Sequence, residues 1–295
     1  MAAMNDTFRA HIETGLTTLC RCWAITRKDG TVFGFTDHDR ALAFDGIEFK
    51  ADSGLSALAL QQSTGLSVDN TEAVGVLSDA SVRDEEIVAG RFDGAEVRAW
   101  LVNWADVNVR WLQFRGHIGE LRRSGGGFQA ELRGLTEALN RPMGRIYQKP
   151  CTAVLGDNGC RFGLNTAGYF TERPVEQVTD TREFQWQNMS EFEPGWFARG
   201  RLVVQSGPAE GLWGMIKQDR FQNGARVIEL WEPIRSQVSE GDVVRLEAGC
   251  DKRMETCRKK FNNILNFQGF PDIPGEDWMM TVPKQNGTNS GGSLR

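Results

Sequence analysis

Four cysteines in the second half of the chain carry the strongest chemical signal in this sequence. Cys151 and Cys160 are separated by eight residues, and Cys250 and Cys257 are separated by six. Four thiolates with no histidine nearby form a donor set that suits zinc or an iron–sulfur cluster. Zinc ribbons usually take each cysteine pair from a loop of about two to four residues, and both loops here are longer. The spacing alone therefore leaves zinc and an iron–sulfur cluster open.

The neighbours of these cysteines favour a charged, shielded centre. A cluster held by four thiolates carries net negative charge, which adjacent cations would offset, and aromatic rings would keep water away from it. The adjacent cations are Arg161, Lys252, Arg253, Arg258, Lys259 and Lys260, and the aromatic residues are Phe162, Phe261 and Phe267.

Two alternatives use the same cysteines without a metal. Free cysteines often pack inside proteins as small apolar residues. Disulfides are the weaker alternative: the first residues lack the apolar segment of a secretory signal, so we expect a protein made in the reducing cytoplasm.

Two further groups of polar residues are predicted to be structural. Cys20 and Cys22 lie two positions apart in a strand-like run, so both face one side of a strand and are expected to pack in the core. The string Asp37-His38-Asp39 contains metal-binding residue types, but no matching ligands follow at helical or strand spacing. We interpret it as a polar turn at the end of a strand.

The elements that must position the cysteines are mainly strands. The turn sequence Lys28-Asp29-Gly30 separates two strand-like runs, residues 17–26 and 31–36, and Phe44-Asp45-Gly46-Ile47 predicts another hairpin. The sequence Phe-Asp-Gly recurs within residues 92–95, where Ala95 follows it, and predicts a second hairpin of the same kind. Residues 111–120 and 128–132 form a further predicted hairpin. Short helices are predicted after residues 5–7 and between Ser81 and Gly90.

This pattern predicts a mainly β fold with minor helical content, divided into four segments. Residues 1–148 are predicted to form a β-rich hub domain. Residues 149–165 and 249–282 form a cysteine-rich metal module around an inserted β-barrel or sandwich-like domain at residues 166–248. Residues 283–295 are rich in Gly, Ser and Asn and are predicted to form a flexible tail.

Composition argues against several function classes. The net charge of −5 is unfavourable for general binding of nucleic acid, which needs a basic face. No apolar run is long enough to predict a membrane span. The sequence contains no G-x-S-x-G elbow, no H-E-x-x-H motif and no dinucleotide fingerprint, so we expect no enzyme activity and no catalytic residues.

Several stretches resemble the tail hub proteins of gene transfer agents and related siphophages, and distantly the tail-tip L protein of lambda-like phages. The similarity extends over about residues 10–280, and the motifs that contain cysteine are its most specific part. The matching stretches are residues 34–39 (GFTDHD), 44–46 (FDG), 89–95 (AGRFDGA), 100–104 (WLVNW), 115–119 (RGHIG), 134–136 (GLT), 151–160, 248–252 (AGCDK), 256–257 (TC) and 261–271 (FNNILNFQGFP).

The resemblance implies a structural role in the tail of a phage-like particle that assembles in the bacterial cytoplasm. Such hubs form a homotrimeric ring between the distal tail protein ring and the tip or fibre hub protein, and they line the path of DNA, which passes as cargo. The resemblance also implies that Cys151, Cys160, Cys250 and Cys257 bind a [4Fe–4S] cluster, with zinc as the alternative cofactor. The predicted cluster would be a staple that holds the inserted domain.

Two other functions fit the cysteine pattern. One is a redox or sensor protein that uses an iron–sulfur cluster, although no partner motif for electron transfer is present. The other is a zinc-stapled module that binds nucleic acid, which would need a basic face in the folded protein.

Overall fold

Strands dominate the computed structural model, which describes residues 4, 6–51, 55–56, 70–75, 83–124, 127–134 and 144–273. The predicted mainly β fold is confirmed. The chain divides into two compact units, Met1–Met143 and Gly144–Arg295. Among the described residues, no helix has the length and apolar character needed to cross a bilayer.

The first unit contains one nine-stranded sheet with the order β3-β4-β2-β1-β7-β8-β9-β6-β5. Its described strands pair in antiparallel fashion except β2 and β4, which run parallel. The elements are α1 (Asp6–Glu13), β1 (Leu19–Thr26), β2 (Val32–Thr36), β3 (Leu42–Phe44), β4 (Ile47–Lys50), β5 (Leu55–Ser56), β6 (Asn70–Gly75), α2 (Asp84–Val88), β7 (Glu96–Asn103), β8 (Arg110–Ser124) and β9 (Gly127–Gly134).

Both faces of this sheet are buried near its centre. Side chains of a strand alternate between faces, and strand β1 places apolar residues at successive positions. Cys20 and Cys22 pack on one face with Phe49 and Trp100, whereas Trp23 packs on the other face. The prediction that these two cysteines share a face and pack in the core is confirmed.

The two Phe-Asp-Gly sequences adopt different structures. Asp45 and Gly46 both have positive φ and join β3 to β4, which is the geometry that a two-residue hairpin turn requires. The hairpin predicted at residues 92–95 is wrong. That segment forms a turn in which Ala95 N–H donates to the Phe92 carbonyl at 3.0 Å. It joins α2 to β7, so no strand precedes it with which β7 could form a hairpin.

The other local predictions on the first unit have mixed outcomes. Helix α1 is confirmed and anchors its Phe8 in the core. Strands β8 and β9 form the predicted hairpin, which pairs Ser124 with Gly127. Helix α2 begins at Asp84, later than predicted, and Ser81 lies outside the described residues.

The second unit contains a seven-stranded sheet with the order β10-β16-β13-β14-β15-β12-β11. All of its described strand pairs are antiparallel. The elements are β10 (Phe170–Pro174), β11 (Gln177–Thr179), β12 (Glu183–Trp186), β13 (Arg201–Val204), β14 (Trp213–Gln222), β15 (Ala225–Leu230), β16 (Val243–Glu247), α3 (Met254–Lys259) and a 3-10 turn (Ile264–Asn266).

All seven strands of this sheet lie within residues 166–248, and the four cysteines of interest lie outside it. Residues 144–165 and 249–273, which we call the cysteine module, contain α3 and the 3-10 turn. The boundaries at residues 148, 165, 248 and 282 stay predictions. The predicted tail, residues 283–295, lies outside the described residues.

A fully buried ion pair lies in the core of the second unit. Arg226 on β15 donates to Asp219 on β14 from Nε to Oδ1 at 2.8 Å and from Nη2 to Oδ2 at 2.6 Å. Both side chains are completely inaccessible to solvent. Removal of one partner from such a pair typically costs about 3–5 kcal/mol of stability, because the other charge stays buried without compensation.

The same pair fixes the loop between β12 and β13. Arg226 donates to the carbonyls of Phe192 and Glu193, each at 2.8 Å, and Asp219 accepts the Phe197 N–H at 2.9 Å. The guanidinium therefore satisfies backbone groups that would otherwise be buried without partners. Trp196 lies within this loop, so the ion pair sets the position of its backbone.

Candidate functional site

Cys151, Cys160, Cys250 and Cys257 line a single small cavity, although they are far apart in sequence. Cys257 is buried on α3, and the other three are half-buried in loops. A backbone hydrogen bond from Cys151 N–H to the Lys252 carbonyl, 2.8 Å long, joins the two cysteine-containing segments. The grouping of the four cysteines expected from the sequence is therefore present.

Asp157 organises the loop that carries Cys160. Its Oδ1 accepts the Cys160 N–H at 2.6 Å and the Gly159 N–H at 2.9 Å, and its Oδ2 accepts the Val154 N–H at 2.8 Å. These hydrogen bonds, led by that from Cys160, lower the pKa of the Asp157 carboxyl below its usual value. An ionised carboxylate thus holds the loop, as in Asx turns.

Protein groups form hydrogen bonds with the sulfurs, and for Cys250 the partner is the backbone of Lys252. Gln268 N–H donates to Cys151 Sγ at 3.4 Å, and the Asn263 amide donates to Cys160 Sγ at 3.5 Å. Cys257 Sγ itself donates to the Asn263 carbonyl at 3.3 Å. Asn263 therefore links two of the cysteine side chains directly.

Burial keeps two of the thiols protonated. Burial, assisted by the nearby Cys250, Cys151 and Cys160, raises the pKa of the Cys257 thiol to about 11. Burial also raises the pKa of Cys250. The thiolate is the form of cysteine that binds metals, so burial opposes the formation of that form at these two side chains.

The predicted [4Fe–4S] cluster and the zinc alternative are both wrong for this structure. Within the described ranges, no group of three or more His, Cys, Asp or Glu side chains is arranged to hold a metal ion. The cavity volume is about 10 Å³, which is close to what one water molecule occupies. Hydrogen-bonded thiols around so small a space fit the alternative of packed free cysteines.

Backbone strain surrounds the cavity. Arg161, Lys252 and Asn262 have positive φ angles of 57°, 67° and 47°, a region that costs roughly 1–2 kcal/mol for a residue with a Cβ. Such strain persists only where surrounding contacts enforce it. Here Arg161 N–H donates to the Asp157 carbonyl at 2.7 Å, which helps to hold the turn after Cys160.

Two of the three aromatic residues predicted to shield the site line its cavity, and the third packs on one of them. Phe261 and Phe267 line the cavity. Phe162 packs edge-on against Phe261, with ring centroids 5.0 Å apart. These rings contribute apolar packing around the thiols.

Lys260 joins the cysteine module to the seven-stranded sheet. Its ammonium donates to the Trp196 carbonyl at 2.6 Å and to the Gly249 carbonyl at 2.9 Å. It also lies 4.1 Å from the centre of the Trp196 ring, a cation–π geometry. The Tyr169 hydroxyl donates to the Lys260 carbonyl at 2.6 Å. Burial lowers the pKa of Lys260 to about 8.

The roles of Lys260, Arg226 and Asp219 were not predicted from the sequence. Lys260 was expected only as one of several cations near a cluster, because the run Arg258-Lys259-Lys260 gives no sign that its last member is buried. Arg226 and Asp219 are seven residues apart across the β14–β15 hairpin. An Arg and an Asp at diagonal positions of a predicted hairpin would have been the available signal.

The Asp37-His38-Asp39 string forms a polar turn, in agreement with its structural interpretation. Asp37 Oδ1 accepts the Arg21 N–H at 2.6 Å. His38 Nδ1 accepts the Arg40 N–H at 3.0 Å, and the His38 ring lies 5.2 Å from that of Trp104.

Comparison with known proteins supports the family resemblance that the sequence motifs indicate. Residues 5–163 match the family described as baseplate hub protein, N-terminal attachment domain. Residues 195–277 match the family described as phage conserved hypothetical protein BR0599. A solved chain described as "Virion of native gene transfer agent (GTA) particle" is 53% identical, covers 99% of this chain and 100% of its own length, and has a TM-score of 0.92. No curated protein matches. The resemblance expected from the sequence is confirmed.

The iron, zinc and sulfide content of the purified protein tests whether the described residues lack a metal site. We expect anaerobically purified protein to contain iron, zinc and acid-labile sulfide far below one equivalent per chain, because the thiols pack around a cavity of about 10 Å³. Elemental analysis and a sulfide assay measure this, with a Cys151→Ser/Cys250→Ser variant as the control. About four irons and four sulfides per chain, lost in that variant, would contradict the packed-thiol account.

The buried ammonium of Lys260 predicts a specific pH dependence. Its pKa is lowered to about 8 in the folded protein from 10.5, so between these values the unfolded chain binds more protons. The free energy of unfolding should therefore rise with pH across this window, relative to a Lys260→Met variant. Urea unfolding at several pH values measures the difference.

Lys259→Met provides the matched control for this measurement, because the Lys259 side chain is 76% exposed. This variant should follow the wild-type pH profile. A difference between wild type and Lys260→Met that stays constant from pH 7 to the alkaline limit would show that Lys260 titrates normally.

Proposed function

Because this chain belongs to the phage baseplate hub protein family, we propose that it is a structural hub in the tail tip of a phage-like particle. In this role it joins the distal tail protein ring to the tip or fibre hub protein. The observation that carries the proposal is the match of residues 5–163 to an attachment domain of baseplate hubs. Full-length similarity to a chain of a gene transfer agent virion supports it.

The chemistry of the cysteine cavity supports a structural role without catalysis. A cysteine nucleophile needs a base nearby or a lowered pKa. No histidine is among the residues that line the cavity, and burial raises the pKa of Cys257 and Cys250. These features disfavour a reactive thiolate at Cys250 and Cys257, which suits a virion component that must persist.

An exposed aromatic patch on the second unit supports contacts with neighbouring tail proteins. Trp213 is 56% exposed and Trp231 is 61% exposed. Trp231 N–H donates to the carbonyl of Met215, which is also exposed. Tryptophan and methionine are enriched in protein interfaces, and tryptophan often dominates their binding energy. In the proposed hub, this patch would contact another protein of the tail tip.

A homotrimeric ring around the DNA path completes the proposal. Closed rings arise when one surface of a subunit binds a different surface of the next. The net charge of −5 offers few phosphate contacts, so DNA could pass as cargo without being held. Assembly would occur in the bacterial cytoplasm, where the free thiols stay reduced.

Deletion of the gene in a particle-producing host tests this function. We expect DNA-filled heads without complete tail tips and loss of DNA transfer, because no other component would bridge the two tail assemblies. Electron microscopy and a transfer assay measure the outcome. Wild-type protein supplied in trans should restore both, and cryo-EM of restored tails should show three copies at the tip.

The matched variant for this test is Trp213→Ala/Trp231→Ala, which truncates exposed rings outside the core. It should fold normally and yet restore assembly poorly. Normal tails and normal transfer in the deletion strain would contradict the proposed function.

A further inference from the structure

Helix α1 is attached to the first unit by an apolar contact and a polar contact. The ring of Phe8 is completely buried, and its centre lies 6.4 Å from that of Trp111 on β8. On the same face of the helix, His11 Nε2 accepts a hydrogen bond from the Thr18 N–H at 3.1 Å. Residues 14–17, which join α1 to β1, are all exposed, so the linker itself adds little burial.

Thr18 is the fixed half of the polar contact. Its hydroxyl donates to Asn103 Oδ1 at 2.5 Å, and its carbonyl accepts the Trp104 N–H at 2.9 Å. Asn103 is the last residue of β7, and Trp104 follows it. Thr18 is therefore tied to the end of β7, and the His11 side chain connects α1 to that end.

The hydrogen bond between His11 and Thr18 requires a neutral imidazole. An N–H group donates to a lone pair, so Nε2 must be unprotonated and Nδ1 carries the ring proton. Protonation of Nε2 places a hydrogen opposite the Thr18 N–H. Thr18 Oγ1, which lies 3.3 Å from Nε2, could accept that hydrogen, but the Thr18 N–H would still lose its acceptor. A partly buried donor without an acceptor is unfavourable.

No opposite charge compensates this loss at His11. In the described part of the chain, the hydrogen-bond partners of His11 are the uncharged residues Thr14 and Thr18. None of the charged side chains of α1, of the turn after β2 or of the adjoining ends of β1, β7 and β8 forms an ion pair with its ring. These residues are Asp6, Arg9, Glu13, Arg21, Asp37, Asp39, Arg40, Asp106 and Arg110.

The dipole of α1 is the smaller of the opposing effects. His11 lies in the last turn of the helix, where the helix dipole attracts a cation. The helix has eight residues, about two turns, so its dipole is small and water screens it at the surface. The loss of the hydrogen bond to the Thr18 N–H therefore decides the outcome.

We propose that His11 is a pH-sensitive latch, in which protonation of Nε2 releases α1 from the end of β7 and from its contact with Trp111. The open form accepts a proton that the latched form excludes, so acidification favours opening by up to about tenfold per pH unit. Histidine changes its charge between about pH 5 and 8, which sets the working range of the latch. Helix α1 belongs to the matched attachment domain, so the inference adds a response to acidity to the proposed hub.

His38 provides an internal comparison, because it is also an acceptor. Its Nδ1 accepts the Arg40 N–H at 3.0 Å. The Asp39 carboxylate lies 3.0 Å from the same nitrogen, and the His38 ring lies 5.2 Å from that of Trp104. A protonated His38 can therefore donate to Asp39 and form a cation–π contact with Trp104. Protonation of His38 is compensated in place and is not expected to release α1.

Amide hydrogen exchange of the full-length protein at several pH values tests the latch. Protection, corrected for the intrinsic exchange rate at each pH, should fall at least about tenfold between about pH 7.5 and pH 5. The loss should occur at the amides of residues 10–13 and of Thr18. Amides in the centres of β1 and β7, such as those of Ala24 and Val97, should stay protected.

Two variants separate His11 from the other histidine of this region. His11→Gln offers an acceptor oxygen that does not titrate in this range, so α1 should stay protected at about pH 5. His38→Gln is the matched control and should keep the wild-type response. Circular dichroism confirms that each variant folds, and the comparison of wild type with His38→Gln stays decisive if His11→Gln does not fold.

Several results would overturn the latch. These are constant protection of α1 and Thr18 in wild type across the pH range, a response that persists in folded His11→Gln, or a response that is lost in His38→Gln. An equal loss of protection at Ala24 and Val97 would show acid unfolding of the first unit and would also contradict the latch.

Discussion

The buried pair of Arg226 and Asp219 is the interaction on which the second unit depends. Neither side chain contacts solvent, so their charges are compensated only by each other and by the hydrogen bonds that they make. The guanidinium donates hydrogen bonds to the carbonyls of residues 192 and 193, and the carboxylate accepts one from the Phe197 N–H. These hydrogen bonds hold the irregular loop between β12 and β13 in place. Any displacement of the loop would leave charged groups buried without partners.

The fixed loop in turn holds the cysteine module. The carbonyl of Trp196 accepts a hydrogen bond from Lys260, and its ring lies against the same ammonium. Lys260 also binds the carbonyl of Gly249, directly before Cys250. The sequence predicted that a metal would hold the cysteine module to the inserted domain. In the structure, a lysine, its aromatic neighbours and backbone carbonyls make this connection. Cys250 directly follows Gly249, and its side chain lines the same small cavity as Cys151, Cys160 and Cys257.

The sequence predicts the features that local physics decides. The Asp45-Gly46 turn and the faces of Cys20 and Cys22 follow from φ preferences and strand alternation, which need no knowledge of distant residues. The grouping of the four cysteines followed from their paired spacing and the family resemblance. The cofactor prediction failed because ligation depends on the arrangement of the side chains and the size of the cavity, which arise only from packing. Arg226 shows the same limit, since three of its acceptors are carbonyls more than 30 residues away.

Hydrogen exchange on an Arg226→Lys variant tests this account most directly, because lysine keeps the charge but loses the two-pronged bond to Asp219. Arg220→Lys is the control, since Arg220 pairs with Glu183 and Glu229 at the partly exposed surface. The account predicts faster exchange in the Arg226 variant at amides of residues 189–197 and also at Gly249 and Cys257, with no such change in the control. Faster exchange confined to residues 189–197, with Gly249 and Cys257 as protected as in wild type, would contradict the claim that the buried pair holds the cysteine module.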